Sequence, residues 1–115
     1  LFFVLGCPEE RSSLNYETTE FRADRVILLG RYRGPSIIQH HHVLSVVDTL
    51  SLTTFSGLSG APVFAWIELP RQRPKLVLCG MMLRGTPQSG LVHFLDRDVL
   101  LDALTVKNQL EQQEK

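Results

Sequence analysis

Apolar and polar residues follow one another in short blocks along this chain, and the blocks have the length of β-strands. Leu1-Phe2-Phe3-Val4-Leu5-Gly6 is an apolar run that stops at Gly6-Cys7-Pro8, the pattern of a buried strand entering a turn. Residues 8–19 are polar, with Ser, Asn and Glu, and read as a loop. Residues 21–33 hold Val26-Ile27-Leu28-Leu29 and Tyr32, a β-rich run that ends at Gly34-Pro35. Ile37-Ile38 and then His42-Val43-Leu44-Ser45-Val46-Val47 predict a strand over 37–47. Residues 48–60 are rich in Ser, Thr and Gly and read as a loop. Further strands are predicted over 62–68, with Val63, Phe64, Trp66 and Ile67, over 75–84, and over 91–95. Gly80 falls inside the second of these, which predicts a bulge or a close backbone approach.

The period then changes. Asp96 reads as a helix N-cap with Asp98 in the first turn. Val99, Leu100, Ala103, Leu104, Val106 and Leu110 set one apolar face at helical spacing. Short strands followed by one helix, without βαβ alternation, predict an antiparallel all-β unit over 1–95 and a helix over 96–115 packed on it.

Composition narrows the class. A chain of 115 residues with 43% apolar and 21% charged positions suits one small globular domain. Twelve basic residues balance twelve acidic ones, which lacks the positive footprint of a nucleic-acid or anionic-membrane surface. No run approaches the roughly 18 apolar residues of a membrane-spanning helix. Cys7 and Cys79 are the two cysteines. A disulfide between them remains open, but two free thiols are the favoured reading, and they point to a reducing, cytoplasmic compartment. The first apolar run lacks the basic flank and length of a signal peptide. It reads as a strand entered in mid-protein, so the chain is expected to be part of a longer one. No cofactor is expected.

The segment richest in chemistry is Phe55-Ser56-Gly57-Leu58-Ser59-Gly60-Ala61-Pro62-Val63-Phe64. Acyl transfer needs a nucleophile on a tight, exposed turn and backbone N–H groups aimed at the developing oxyanion. Gly57 permits the dihedrals such a turn requires, Gly60 and Ala61 keep the approach open, and Pro62 ends the turn. The plain alternative is a Gly/Ser turn between two strands. A Gly-x-Ser-x-Gly elbow of the α/β-hydrolase kind requires a strand before the serine and a helix after it. Here a loop precedes Ser59 and a strand follows, so that reading fails.

In this setting Gly57-Leu58-Ser59-Gly60-Ala61-Pro62-Val63 resembles the serine motif of trypsin-like peptidases. Leu78-Cys79-Gly80-Met81-Met82-Leu83-Arg84-Gly85 looks like that family's next signature strand, Gly90-Leu91-Val92 like the following pocket wall, and the helix from Asp96 like the one that ends its second barrel. The resemblance covers nearly the whole chain. It implies a six-stranded antiparallel Greek-key barrel, the second barrel of a chymotrypsin-like two-barrel fold. It also implies Ser59 as nucleophile and the N–H groups of Gly57 and Ser59 as oxyanion hole. Thr53 would lie at the base of the specificity pocket, Met82, Leu83 and Arg84 alongside the substrate backbone, and Gly90 and Val92 on the opposite wall. An uncharged Thr53 would favour uncharged substrate side chains. The implied partners are a polypeptide substrate and an N-terminal barrel that supplies His and Asp.

The chain departs from the family pattern in several places. No motif for the His or the Asp is present, and a lone serine hydroxyl is a poor nucleophile. By itself the chain is therefore expected to be inactive. Leu58 stands where animal enzymes carry an aspartate that pairs with a new N-terminus. Leu83 stands where a serine often supports the catalytic aspartate. The cysteines match none of the usual disulfides. These departures point to a divergent bacterial or viral branch, and they keep open a second reading, an inactive peptidase-like module that binds peptides. A structural barrel is a third. His40-His41-His42 could suggest a metal, but only His40 and His42 would share a strand face and no third ligand is visible. A catalytic role for His41 or His42 with Asp48 would need a permuted triad. These histidines and His93 read as surface or barrel-lining residues.

Overall fold

Strands that alternate apolar and polar residues bury one face only by closing on themselves or on another sheet. This chain takes the first course. The computed structural model describes residues 1–15, 17, 18 and 20–113, with backbone alone for 12, 14, 15, 20–23 and 107–113. The strands are β1 (Phe2–Gly6), β2 (Ser12–Asn15), β3 (Glu20–Ala23), β4 (Val26–Pro35), β5 (His41–Val46), β6 (Pro62–Ile67), β7 (Lys75–Thr86) and β8 (Leu91–Asp96), and the helix is α1 (Arg97–Gln113). Six strands close into a barrel in the order β1-β4-β5-β8-β7-β6, with β6 returning to β1, and every pairing is antiparallel. Consecutive β6, β7 and β8 are neighbours and β5 lies beside β8, which is Greek-key order.

The inward positions fill the barrel. Val4, Val26, Leu28, Leu44, Val63, Met82, Val92 and Phe94 come from the strands, and Leu52, Phe55, Leu58 and Ala61 from the long β5–β6 loop. At Gly80 the β7 backbone lies so close to β8 that a Cβ there would stand 1.9 Å from the Leu95 carbonyl oxygen. The β6–β7 register also shifts beside it, between Val63 and Phe64. Both alternatives that an in-strand glycine predicts are therefore present.

Three expectations need correction. Residues 8–19 are not simply a loop. Glu9–Arg11 form a 3-10 turn, and β2 pairs with β3 in a separate hairpin. Apolar alternation reports a buried face rather than strand pairing, and a hairpin outside the barrel with four residues in each strand is too short to show one. Ile37 and Ile38 are not in a strand either. They are exposed in a turn that the Ser36 N–H closes onto the His41 carbonyl (2.8 Å) and the His41 N–H onto the Ile38 carbonyl (3.1 Å). The helix, finally, packs less than its pattern implies. Asp96 Oδ1 accepts the Asp98 N–H at 2.8 Å, as an N-cap should, and α1 touches β7 and β8. Yet Ala103, Leu104 and Val106 of that face are exposed, the last two by 57% and 54%. The Leu110 side chain and residues 114–115 lie outside the described residues. Among those described, no helix is long and apolar enough to cross a membrane.

Candidate functional site

The serine loop is held by its own apolar residues. Leu52, Phe55 and Leu58 drop into the barrel mouth at the Gly6 end of β1. Leu58 fills it so closely that a Cβ on Gly6 would come within 2.8 Å of Leu58 Cδ2. Burying these side chains turns the residues between them outward. Backbone bonds then lock the turn. Leu58 N–H donates to Phe55 (3.1 Å), Ala61 N–H to Leu58 (3.0 Å), Glu9 N–H to Ser56 (2.8 Å) and Gly60 N–H to Met82 (2.7 Å).

Gly57 and Gly60 both have φ of 88°, the left-handed region that glycine adopts without strain. Gly57 also lies against the preceding turn, since a Cβ there would stand 2.6 Å from the Glu9 nitrogen. Ser59, between the two glycines, is exposed. Its hydroxyl donates to the Leu83 carbonyl at 3.2 Å. That carbonyl is free for it because the β7–β8 register slips between Met82 and Arg84, leaving Leu83 unpaired with β8. Among the described residues, the N–H groups of Gly57 and Ser59 have no hydrogen-bond partner, and no histidine or carboxylate bonds to the Ser59 hydroxyl.

Ser59, Gly57 and the Leu83 backbone thus form one cluster. The remaining candidates are distributed differently. Met82 and Val92 are core residues, 1% and 0% exposed, so their side chains are not pocket walls. Inward alternation on β7 and β8 sends both into the barrel. Arg84 faces outward and makes no ion pair or hydrogen bond among the described residues. Gly90 has φ of 68° in the β7–β8 turn, and its carbonyl accepts the Val46 N–H at 2.7 Å.

Thr53 is exposed and belongs to a contact that the sequence does not announce. Its N–H and its hydroxyl both donate to the Glu10 carboxylate at 2.8 Å. The Thr53 hydroxyl holds the Glu10 carboxyl below its ordinary pKa, and the Thr53 and Thr54 amides add to the effect. A carboxylate therefore sits on Thr53, and its surroundings are not uncharged. Gln88 Nε2 donates to the Thr53 carbonyl at 3.1 Å and ties this corner to the turn that carries Gly90.

A second polar cluster closes the other mouth of the barrel. Phe2 lies at that end of β1, stacked on Tyr32 at 5.6 Å, and His42 stacks on Phe94 at 5.2 Å. The His42 Nε2 is 3.2 Å from Asp96 Oδ2, and its Nδ1 is 2.7 Å from the Tyr32 hydroxyl. The carboxylate only accepts, so in this contact Nε2 carries the proton. Asp96 titrates below its ordinary range, first because it accepts the Asp98 N–H and then because it pairs with His42. His42 thus takes Asp96 as partner, not Asp48, whose carboxylate caps the Leu50 N–H at 2.8 Å. The histidine run and the N-cap are both visible in the sequence; their pairing requires β5 beside β8.

Cys7 and Cys79 are both free thiols, and burial raises the pKa of Cys79. Among the described residues, no three His, Cys, Asp or Glu side chains stand close enough to hold a metal ion. Compared with protein-family models, with curated proteins and with solved structures, the chain matches none.

Proposed function

We propose that Ser59 is the nucleophile of a serine peptidase, with the backbone N–H groups of Gly57 and Ser59 as its oxyanion hole. One observation carries this reading: an exposed serine between two left-handed glycines, flanked by two backbone donors that nothing in the described chain satisfies. In the reaction the Ser59 oxygen bonds to the peptide carbonyl carbon and its proton passes to a base. The carbonyl oxygen takes up the negative charge against the two N–H groups. The C–N bond then breaks, the leaving amine takes the proton from the protonated base, and water hydrolyses the acyl-enzyme. In this reading the base and its carboxylate partner belong to an N-terminal barrel of the same protein; among the described residues the Ser59 hydroxyl bonds to no histidine or carboxylate.

The test uses the protein at its full natural length. A fluorophosphonate probe is expected to label Ser59, located by mass spectrometry of the labelled peptide, and Ser59→Ala is expected to abolish labelling without changing the melting temperature. A second reading, an inactive peptide-binding module, draws on the Ser59–Leu83 hydrogen bond, which occupies the hydroxyl. A full-length protein that binds peptides and leaves Ser59 unlabelled would decide for that alternative.

A further inference from the structure

The outer face of β5, β8 and β7 carries a cluster of basic groups that the acyl-transfer chemistry does not use. The strand register sets Arg84 of β7 opposite His93 of β8, and His93 opposite Val43 of β5, with His41 two positions before Val43 on the same outward side. A cleft of about 290 Å³ opens there, lined by Arg84, Gly85, Thr86, Ser89, Leu91 and His93. It begins at the residue after Leu83, whose carbonyl holds the Ser59 hydroxyl.

This face is short of negative charge. Arg84 has no counter-ion among the described residues. The Nδ1 atoms of His41 and His93 are sealed from solvent without a hydrogen-bond partner. Burial, and after it the nearby Arg84 guanidinium, lower the His93 pKa, and no carboxylate is among the groups that act on it. The hydroxyls of Thr86 and Ser89 are bonded to each other at 2.7 Å, so the guanidinium is the one strong donor left free in the cleft. An anion placed there would gain a charge-assisted bond to the Arg84 guanidinium.

We propose that this cleft binds the carboxylate of an acidic side chain, and that the natural occupant is a peptide lying along β7 with Asp or Glu at that point. The peptide occupant rests on the reading of Ser59 as a peptidase nucleophile; the carboxylate site itself rests only on Arg84 and its neighbours. Full-length protein carrying Ser59→Ala, with labelled histidine rings, is titrated by NMR with N-acetyl-glutamate N-methylamide and with its glutamine counterpart. The expected result is a saturable shift of the His93 ring signals with the glutamate probe. The glutamine probe is expected to bind at least tenfold more weakly, and Arg84→Gln to weaken glutamate binding at least tenfold. No shift, equal shifts from the two probes, or undiminished binding in Arg84→Gln would overturn the site. Labelling of Ser59 by fluorophosphonate, read on the protein with serine intact, separates the two failures. Selectivity for glutamate with an unlabelled Ser59 removes the peptide substrate and leaves the carboxylate site.

Discussion

Replacing Gly80 with alanine forces two neighbouring strands of the barrel apart. A Cβ at this position stands 1.9 Å from the Leu95 carbonyl oxygen and 2.9 Å from Phe94 Cδ2. Ordinary non-bonded contact is about 3.5 Å, so the carbonyl has to retreat by more than 1 Å. It is backbone and cannot rotate away. Its strand is pinned to both neighbours, with Leu95 opposite Met81 on one side and His41 on the other. The movement weakens one or two ladder hydrogen bonds, at about 1 kcal/mol each. It also disturbs the buried Phe94, an overpacking cost of about 1–3 kcal/mol. The total, about 2–5 kcal/mol, is a large share of the 5–15 kcal/mol typical of a domain. Gly90→Ala is the control. Its φ is 68° with nothing within 4 Å, so it meets only the left-handed backbone cost of about 1–2 kcal/mol. Urea unfolding followed by the fluorescence of Trp66, the single tryptophan, measures both variants. Gly80→Ala is expected to lower the midpoint clearly more than Gly90→Ala. A Gly80→Ala midpoint equal to or above that of Gly90→Ala would refute the claim that β7 and β8 touch at this glycine.

Two further outcomes test the polar contacts. Asp96 has a folded-state pKa below its unfolded value, so its contribution is present above the ordinary carboxylate range, near about 4, and fades as pH falls through the folded value. Asp96→Asn keeps a capping side chain but cannot ionise. Its melting temperature is therefore expected to fall less than that of the wild type between about pH 5 and pH 3, and parallel profiles would contradict the assignment. Thr53→Val removes the hydroxyl that donates to Glu10. The Glu10 carboxyl is then expected to titrate closer to its ordinary value in an NMR pH titration, whereas an unchanged midpoint would mean that the contact does not hold in solution.

Much of the barrel is legible in local pattern. Val4, Leu28, Leu44 and Val63 recur at strand spacing, and inward alternation alone puts them in the core. Asp96 announces the helix start because a short acceptor before an apolar periodic run is what an N-cap requires. The serine turn is legible for a similar reason: Gly57 and Gly60 flank Ser59, and glycine is the residue that adopts a φ of 88° without strain. Pattern misleads where it depends on a face that is not buried. Ile37-Ile38 has strong strand propensity yet sits in an exposed turn, and the β2–β3 hairpin, with four residues in each strand and Leu14 opposite Phe21, is too short to show an alternation.

What side chains do for one another could not be read in this way. Met82, expected alongside the substrate backbone, and Val92, expected on the opposite wall, turn into the core once β7 and β8 pair and the bulge at Leu83 sets which residues point inward. Glu10 and Thr53, 43 positions apart, meet because the serine loop folds back over the 3-10 turn. His42 and Asp96 are 54 apart and meet because Greek-key order sets β5 beside β8. Arg84, His93 and His41 share one face only once β7, β8 and β5 are in register. Alternation, glycine turns and caps are short-range preferences, held within a few residues of backbone. Hydrogen bonds and charges act between atoms a few ångströms apart in space, and closure of the barrel is what brings distant residues within that range.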